Sequence, residues 1–351
     1  MFGRSKNKGN YAYTATRAKA MKALLIKEDD YNKMLQLSVS ELARFASEAG
    51  YSKEITDLAD KTSGVDLVER ATYAYMANTF KSLLQGAQGE LYTLLASYLQ
   101  KWDNWNVKVI LRGKSYGLSV EEIRNDLVPA GNLGAEDLEK LVALETSEEI
   151  LQAFCKLEAI EIPAEVLTAF KANGNLGHVE DFLDKVQYTR LIRVIPTTSL
   201  PTRMFSDYIR REVDIRNLET ILKLKVEGIT GDEVLDYVIP GGKQIDMKFA
   251  KQLADIDTLQ NTYSELTQLD FYDYIKENIE AGNMTVRDLI LSTKRYELAE
   301  AKKFSQEYPL SILPAVDYMV HMENEARNIR TIARGIESGL DRSEIKQLLV
   351  I

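Results

Sequence analysis

The side chains that most often do chemistry are few in this chain and poorly spaced for it. There is one cysteine, Cys155, and there are two histidines, His178 and His321, in 351 residues. A cysteine nucleophile needs a base within hydrogen-bond reach, and zinc usually takes three or four nitrogen or sulfur ligands. This inventory points to neither a cysteine catalyst nor a zinc centre, and no catalytic residue, metal, cofactor or small-molecule substrate is expected. No GxxxxGK[ST] phosphate loop is present, and the pairs Gly86/Gly89 and Gly131/Gly134 fall in helical or loop contexts rather than after a strand. Cys155 reads as a small core hydrophobe, and a single cysteine excludes an internal disulfide. Such sparing use fits a reducing cytoplasm. Trp102 and Trp105 have the spacing of residues that pack a helix into a core.

A different set of polar residues recurs at constant spacing. Asn106, Asn217 and Asn328 each head a 24-residue pattern, and each copy begins 111 residues after the last. The copies are NVKVILRGKSYGLSVEEIRNDLVP, NLETILKLKVEGITGDEVLDYVIP and NIRTIARGIESGLDRSEIKQLLVI. Within them Gly117/Gly228/Gly339 and Glu122/Glu233/Glu344 are invariant, and Arg112/Lys223/Arg334 stays basic. Repeats of this kind mean several copies of one structural unit.

The elements that position these residues follow from local chemistry. Apolar residues at 107, 110 and 111 have helical spacing. The glycine stands where a helix ends in a left-handed residue. Ser119, Thr230 or Asp341 then caps a second helix, with Glu122, Glu233 or Glu344 three residues on, as a capping box requires. Leu118–Ile123, Ile229–Val234 and Leu340–Ile345 have the spacing of a hydrophobic staple. The glutamates are thereby explained as caps. Asn is a poor residue for a helix interior, so its recurrence has two readings: a buried amide bonded to a neighbouring segment, or a partner contact. The basic position either favours the negative end of the helix or forms a set of three positive groups facing an acidic partner.

Few prolines (7) and modest glycine (19) favour a mainly helical chain, and 45% apolar residues suffice for a core. Three lobes are expected, at 1–134, 135–241 and 242–351, giving an all-α body with pseudo-threefold symmetry. Met1–Asn10 is expected to be loosely held and Tyr11–Ile26 to be helical. Ser38, Thr146 and Thr285 are expected to cap helices, Pro163 to open one, and Gly174 and Gly177 to mark a turn. Pro196–Pro201 breaks lobe two between long helices, and Pro309 and Pro314 break lobe three. Lobe one runs more continuously from Asp66 to Lys114, with Gly86 and Gly89 as its points of interruption.

The net charge of −9 argues against non-specific nucleic-acid binding. Charge is unevenly spread. Residues 1–27 hold seven basic groups, Arg4, Lys6, Lys8, Arg17, Lys19, Lys22 and Lys27, and no acid, which leaves 37 basic against 53 acidic residues elsewhere. The basic first helix, through Arg17, Lys19 and Lys22, is either a solvated face or a contact for anionic lipid or an acidic protein. No apolar run approaches the ~20 residues that span a bilayer, and the N-terminus lacks the apolar core of a signal peptide. Membrane association is expected to be peripheral.

The stretch YAYTATRAKAMKALL at Tyr11–Leu25, together with the thrice-repeated Asn helix and glycine corner, resembles the C subunit of the archaeal and bacterial V/A-type rotary ATPases. That family includes the d subunit of the eukaryotic V-ATPase, and the resemblance covers essentially the whole chain. It implies an all-helical funnel of three lobes on the cytoplasmic side of a membrane rotor ring. It implies central shaft subunits and the proteolipid ring as partners, torque transmission between ATP chemistry and ion transport, and no catalysis by the subunit itself. Two other functions compete. A general helical repeat scaffold is disfavoured because solenoid units commonly span about 20–45 residues. An enzyme is disfavoured because no nucleophile and base are paired.

Overall fold

The computed structural model describes residues 9–173, 176–282 and 284–351, so Arg4, Lys6, Lys8 and Gly174 lie outside the described residues. Among the described residues the chain is helical throughout and contains no strand. None of their helices is long and apolar enough to cross a membrane. Two compact units form. One joins residues 1–154 to Pro309–Ile351, and the other is Cys155–Tyr308.

The first unit is built on the Gly64–Gly86 and Leu313–Glu337 helices, with Tyr11–Lys22 packed on the latter. Every residue from Leu313 to Val320 is buried, so that the first third of the helix is enclosed on all sides. Its stability therefore comes from packing more than from intrinsic propensity. Ser38 forms the expected capping box with Glu41, and Thr146 forms the same pair of bonds with Glu149. Tyr11–Lys22 stops short of the expected Ile26, because residues 23–25 turn away.

Two expectations need correction in this unit. The first copy is not more continuous than the others: the chain breaks between Gly86 and Gly89, where Gly89 takes a φ of +58°. Nor is Asn10 loose. Its amide donates to the Gly86 carbonyl at 2.7 Å and accepts from the Gln88 N–H at 3.0 Å. It thus satisfies backbone groups that a helix end and the next helix start leave open.

The second unit packs Gly177–Val194 and Val286–Glu307 around Leu200–Val226. Ser199 caps the last of these, with proline in its first turn, and Thr285 forms a capping box with Asp288. The short helices Met247–Asp255 and Leu259–Glu265 add Leu253 and Tyr263 to its core, joined by Leu266 just past the second of them. Cys155 is buried, and burial pushes its thiol up to about 12.

Candidate interaction surface

The repeated corner supplies the geometry from which any surface must be built. At its turn the N–H of Leu118 donates to the Gly113 carbonyl at 2.9 Å and that of Gly117 to Lys114 at 3.1 Å. The same two bonds recur at Ile229 and Gly228, and at Leu340 and Gly339. This is the Schellman arrangement, which needs a left-handed residue. Gly117, Gly228 and Gly339 provide it with φ of +72°, +83° and +69°.

The second helix differs among copies. Ser119 and Glu122 form the full box, with Glu122 N–H to Ser119 Oγ at 3.2 Å and Ser119 N–H to Glu122 Oε2 at 2.8 Å. Glu344 accepts from the Asp341 N–H at 3.2 Å. In the middle copy the expectation fails: Thr230 makes no side-chain cap bond, and Gly231–Asp236 is a 3-10 turn. Two residues explain this. Gly231 is left-handed at φ +69°, where a helix would begin. Leu224 occupies the place of Gly113 and Gly335, and those glycines let the second helix approach closely. A Cβ on Gly113 would lie 2.5 Å from Ile123, and one on Gly335 would lie 2.7 Å from Ile345. Leu118 and Leu340 stay 41% and 44% exposed, so the buried Ile123, Val234 and Ile345 anchor the corner rather than a closed staple.

The Asn question is closed by distance. Asn106 Nδ2 donates to the Val128 carbonyl at 2.8 Å while its Oδ1 accepts from the Val128 N–H at 2.8 Å. Asn217 holds Ile239 at 2.8 and 2.8 Å, and Asn328 holds Val350 at 2.8 and 3.1 Å. All three amides are fully buried. Each pins the extended exit of its own corner, satisfying a backbone donor and acceptor that burial would otherwise leave unpaired.

Sequence reasoning missed a second recurrent set three residues before each Asn: Asp103, Asp214 and Glu325, themselves 111 apart. The period was the available signal. Asp103 accepts from the N–H groups of Asn132 (2.8 Å) and Leu133 (3.0 Å), and Asp214 from those of Gln244 (2.9 Å) and Ile245 (2.8 Å). Gly131 and Gly242 make room, since a Cβ there would come within 2.1 and 2.4 Å of these carboxylates. Glu325 does the same for a segment from the other end of the sequence, accepting from the Ile26 N–H at 2.6 Å and from the Tyr51 hydroxyl. Burial pushes the Asp214 carboxyl up to about 6, against its backbone donors, and that of Glu325 up to about 7.

Arg112 and Lys223 are exposed in the last turns of their helices. Arg334 reaches Asp66 and Glu69, both at 2.7 Å, and Glu337 at 3.1 Å. In the first helix Lys19 is exposed, Arg17 donates to the Ser82 carbonyl and hydroxyl, and Lys22 pairs with Asp317. Asp317 is buried, which would raise its carboxyl, but His321 and Lys22 outweigh burial and hold it below its ordinary value. Trp105 is not a core residue: it is 43% exposed, edge-on to Trp102 at 6.2 Å.

Trp105 instead lines a cavity of about 610 Å³ in the first unit, with Asp66, Glu69, Arg70, Tyr73 and Arg334. The second unit has a polar pocket of about 180 Å³ with Asp181, Asp184, Arg216, Glu219 and Lys223. The two correspond under the repeat. Arg216 is 111 residues from Trp105, Lys223 is 111 from Arg334, and Glu219 is 111 from Arg330, which also lines the larger cavity. The same face of the repeated long helix is thus left open in both units. Among the described residues no cluster of three or more His, Cys, Asp or Glu is placed to hold a metal.

The model of the ATP synthase (C/AC39) subunit family matches residues 14–348. A protein named as the C subunit of the A-type ATP synthase, from Methanococcoides burtonii, is 35% identical over 353 residues, covering 99% of this chain and 96% of its own. Its namesakes from Methanosarcina acetivorans (35%, 99% of this chain, 95% of its own) and Archaeoglobus fulgidus (32%, 98% and 97%) are similar along the same length.

Proposed function

The chain belongs to the ATP synthase (C/AC39) subunit family, and from that premise we propose that it is a non-catalytic rotor subunit. In this reading it forms a three-lobed, pseudo-threefold socket that joins the central shaft to the membrane rotor ring. It sits peripherally on the cytoplasmic side and transmits torque between ATP chemistry and ion transport. The observation that carries the reading is the open helix face repeated in both units, lined by charged side chains and Trp105. The buried acids support it as well, because their oxygens are taken up by backbone N–H groups instead of facing a cavity. Side chains that hold the fold rigid suit a part that carries force. We assign partner contact to exposed Arg112, Lys223 and Lys19. Arg17, Lys22 and Arg334 hold helices of the first unit together.

The test is affinity purification of a tagged chain from native membranes in mild detergent, with mass spectrometry of what comes with it. Recovery of nucleotide-binding head subunits, shaft subunits and proteolipid is expected. Charge reversal at Arg112 and Lys223 together is expected to lower shaft recovery while leaving the helical circular-dichroism signal unchanged. Recovery of the chain alone, or with unrelated soluble proteins, would favour a general repeat scaffold and sink the rotor reading.

A further inference from the structure

Glu325 occupies a position that the repeat defines. In the first two copies the acid three residues before the Asn binds the N–H groups of the segment that follows its own corner. In the third copy the bound segment comes from the N-terminal part of the chain, at Ile26. The substitution is thorough. Tyr51 bonds the other oxygen of Glu325, and Arg342 in the last short helix bonds Gln36. In the first corner an arginine at a different position of the short helix makes the analogous contact, Arg124 with Glu139 at 2.7 and 2.9 Å. Residues 26–51 therefore close the third corner as residues 130–143 close the first.

The chemistry of this closure differs from that of its relatives. Glu325 is 3% exposed, and its bonded partners, a backbone amide and a phenol, are both neutral. The groups that face it from the surrounding elements are also mostly phenols: Tyr31 from the helix at 28–34, Tyr75 from the 64–86 helix and Tyr318 from its own helix. Arg327 places positive charge near Tyr31, and Glu54 adds negative charge near Tyr75. Of the cations on the first helix, Lys22 is paired with Asp317, two turns away from Glu325 along the long helix, and Arg17 is bonded to Ser82. A carboxylate desolvated without a paired cation is disfavoured, and a proton relieves it.

We propose that Glu325 is a proton-tightened clasp: while it carries a proton it holds the N-terminal segment, at Ile26 and Tyr51, shut on the C-terminal long helix, and as it loses that proton the segment opens. A protonated carboxyl keeps both bonds, since its carbonyl oxygen accepts from Ile26 and its hydroxyl donates to the Tyr51 oxygen. An ionised one also accepts both bonds, but it remains desolvated until the segment lifts and water reaches it. Burial puts the closed-state carboxyl at about 7, against 4.5 when it faces water. The raised group favours the closed state fully below 4.5, and this contribution is lost as pH rises through about 7. The ratio of open to closed clasp then rises by about 300-fold at most, and by about 70-fold between pH 5 and pH 8.

The experiment is amide hydrogen exchange on the full chain from pH 5 to 8, corrected for intrinsic rates, following peptides that contain Ile26. Opening at Ile26 is expected to rise by tens of fold with a midpoint near 7. In Glu325→Gln, which keeps an acceptor for Ile26 and a donor for Tyr51 at every pH, the profile is expected to be flat. In Tyr51→Phe, which removes a donor that favours the ionised form, the midpoint is expected to move up. A flat profile in the native sequence overturns the clasp. So does a Glu325→Gln profile that rises as steeply as the native one, because another group would then carry the pH dependence.

Discussion

Asn106 offers the sharpest test of the corner. Its amide is fully buried and holds both backbone groups of Val128 at 2.8 Å, and Val128 itself is 5% exposed. Replacing Asn106 by Ala leaves a buried N–H and a buried C=O without partners. Each such group costs about 1–3 kcal/mol, so a relaxed site loses about 2–4 kcal/mol in total. That corresponds to roughly 30- to 900-fold more frequent opening of the corner exit. Because the chain has two compact units, a global melt is not two-state. The right assay is local exchange of amides around Val128 at fixed pH. Asn106→Asp adds a second, independent check. An ionised aspartate points a lone pair at the Val128 carbonyl, whereas a protonated one restores the missing donor. The introduced carboxyl is therefore raised above its ordinary value, so its stabilisation is present at low pH and lost as pH rises. Protection in Asn106→Asp should recover on going from pH 8 to pH 5, and protection in Asn106→Ala should not. An alanine variant whose exchange at the corner exit changes by less than ~3-fold (under ~0.7 kcal/mol) would refute the reasoning that these two bonds hold the corner.

The corners should also respond unequally to loss of their caps. Ser119→Ala is expected to cost about 1 kcal/mol, measured as local exchange in Val120–Asn125. Thr230→Ala should cost only a few tenths by the same measure, because Thr230 makes no cap bond. Cys155, with its thiol pushed up to about 12 by burial, should react with a disulfide reagent at pH 8 at least about 100-fold more slowly in the native chain than in urea. Rapid labelling of the native chain would mean that the thiol is open to solvent.

What was legible in the sequence was whatever is settled within a few residues. The 111-residue period shows in the repeated letters themselves, and the left-handed glycines at 117, 228 and 339 and the caps at Ser38, Ser119, Thr146 and Thr285 rest on bonds that close over three to five positions. Residue type and spacing suffice for these, because the backbone supplies the remaining geometry. The middle corner shows the limit of that reasoning. Its Thr and Glu have the right spacing, but Gly231 and Leu224 deny the second helix its start and its close approach.

The rest was decided by segments far apart in sequence. Whether Asn106 faced a partner or Val128 depended on how the chain returns 22 residues later. Whether Arg334 was available depended on Asp66 and Glu69, more than 260 residues away. Trp105 has the spacing of a core residue and lines a cavity instead, because exposure is a property of what packs against a helix and not of the helix alone. Glu325 is the clearest case. Its sequence neighbours mark it only as one more helix glutamate. Folding brings Ile26 and Tyr51 to it from the opposite end of the chain and takes its water away, and that desolvation gives it a proton-dependent role.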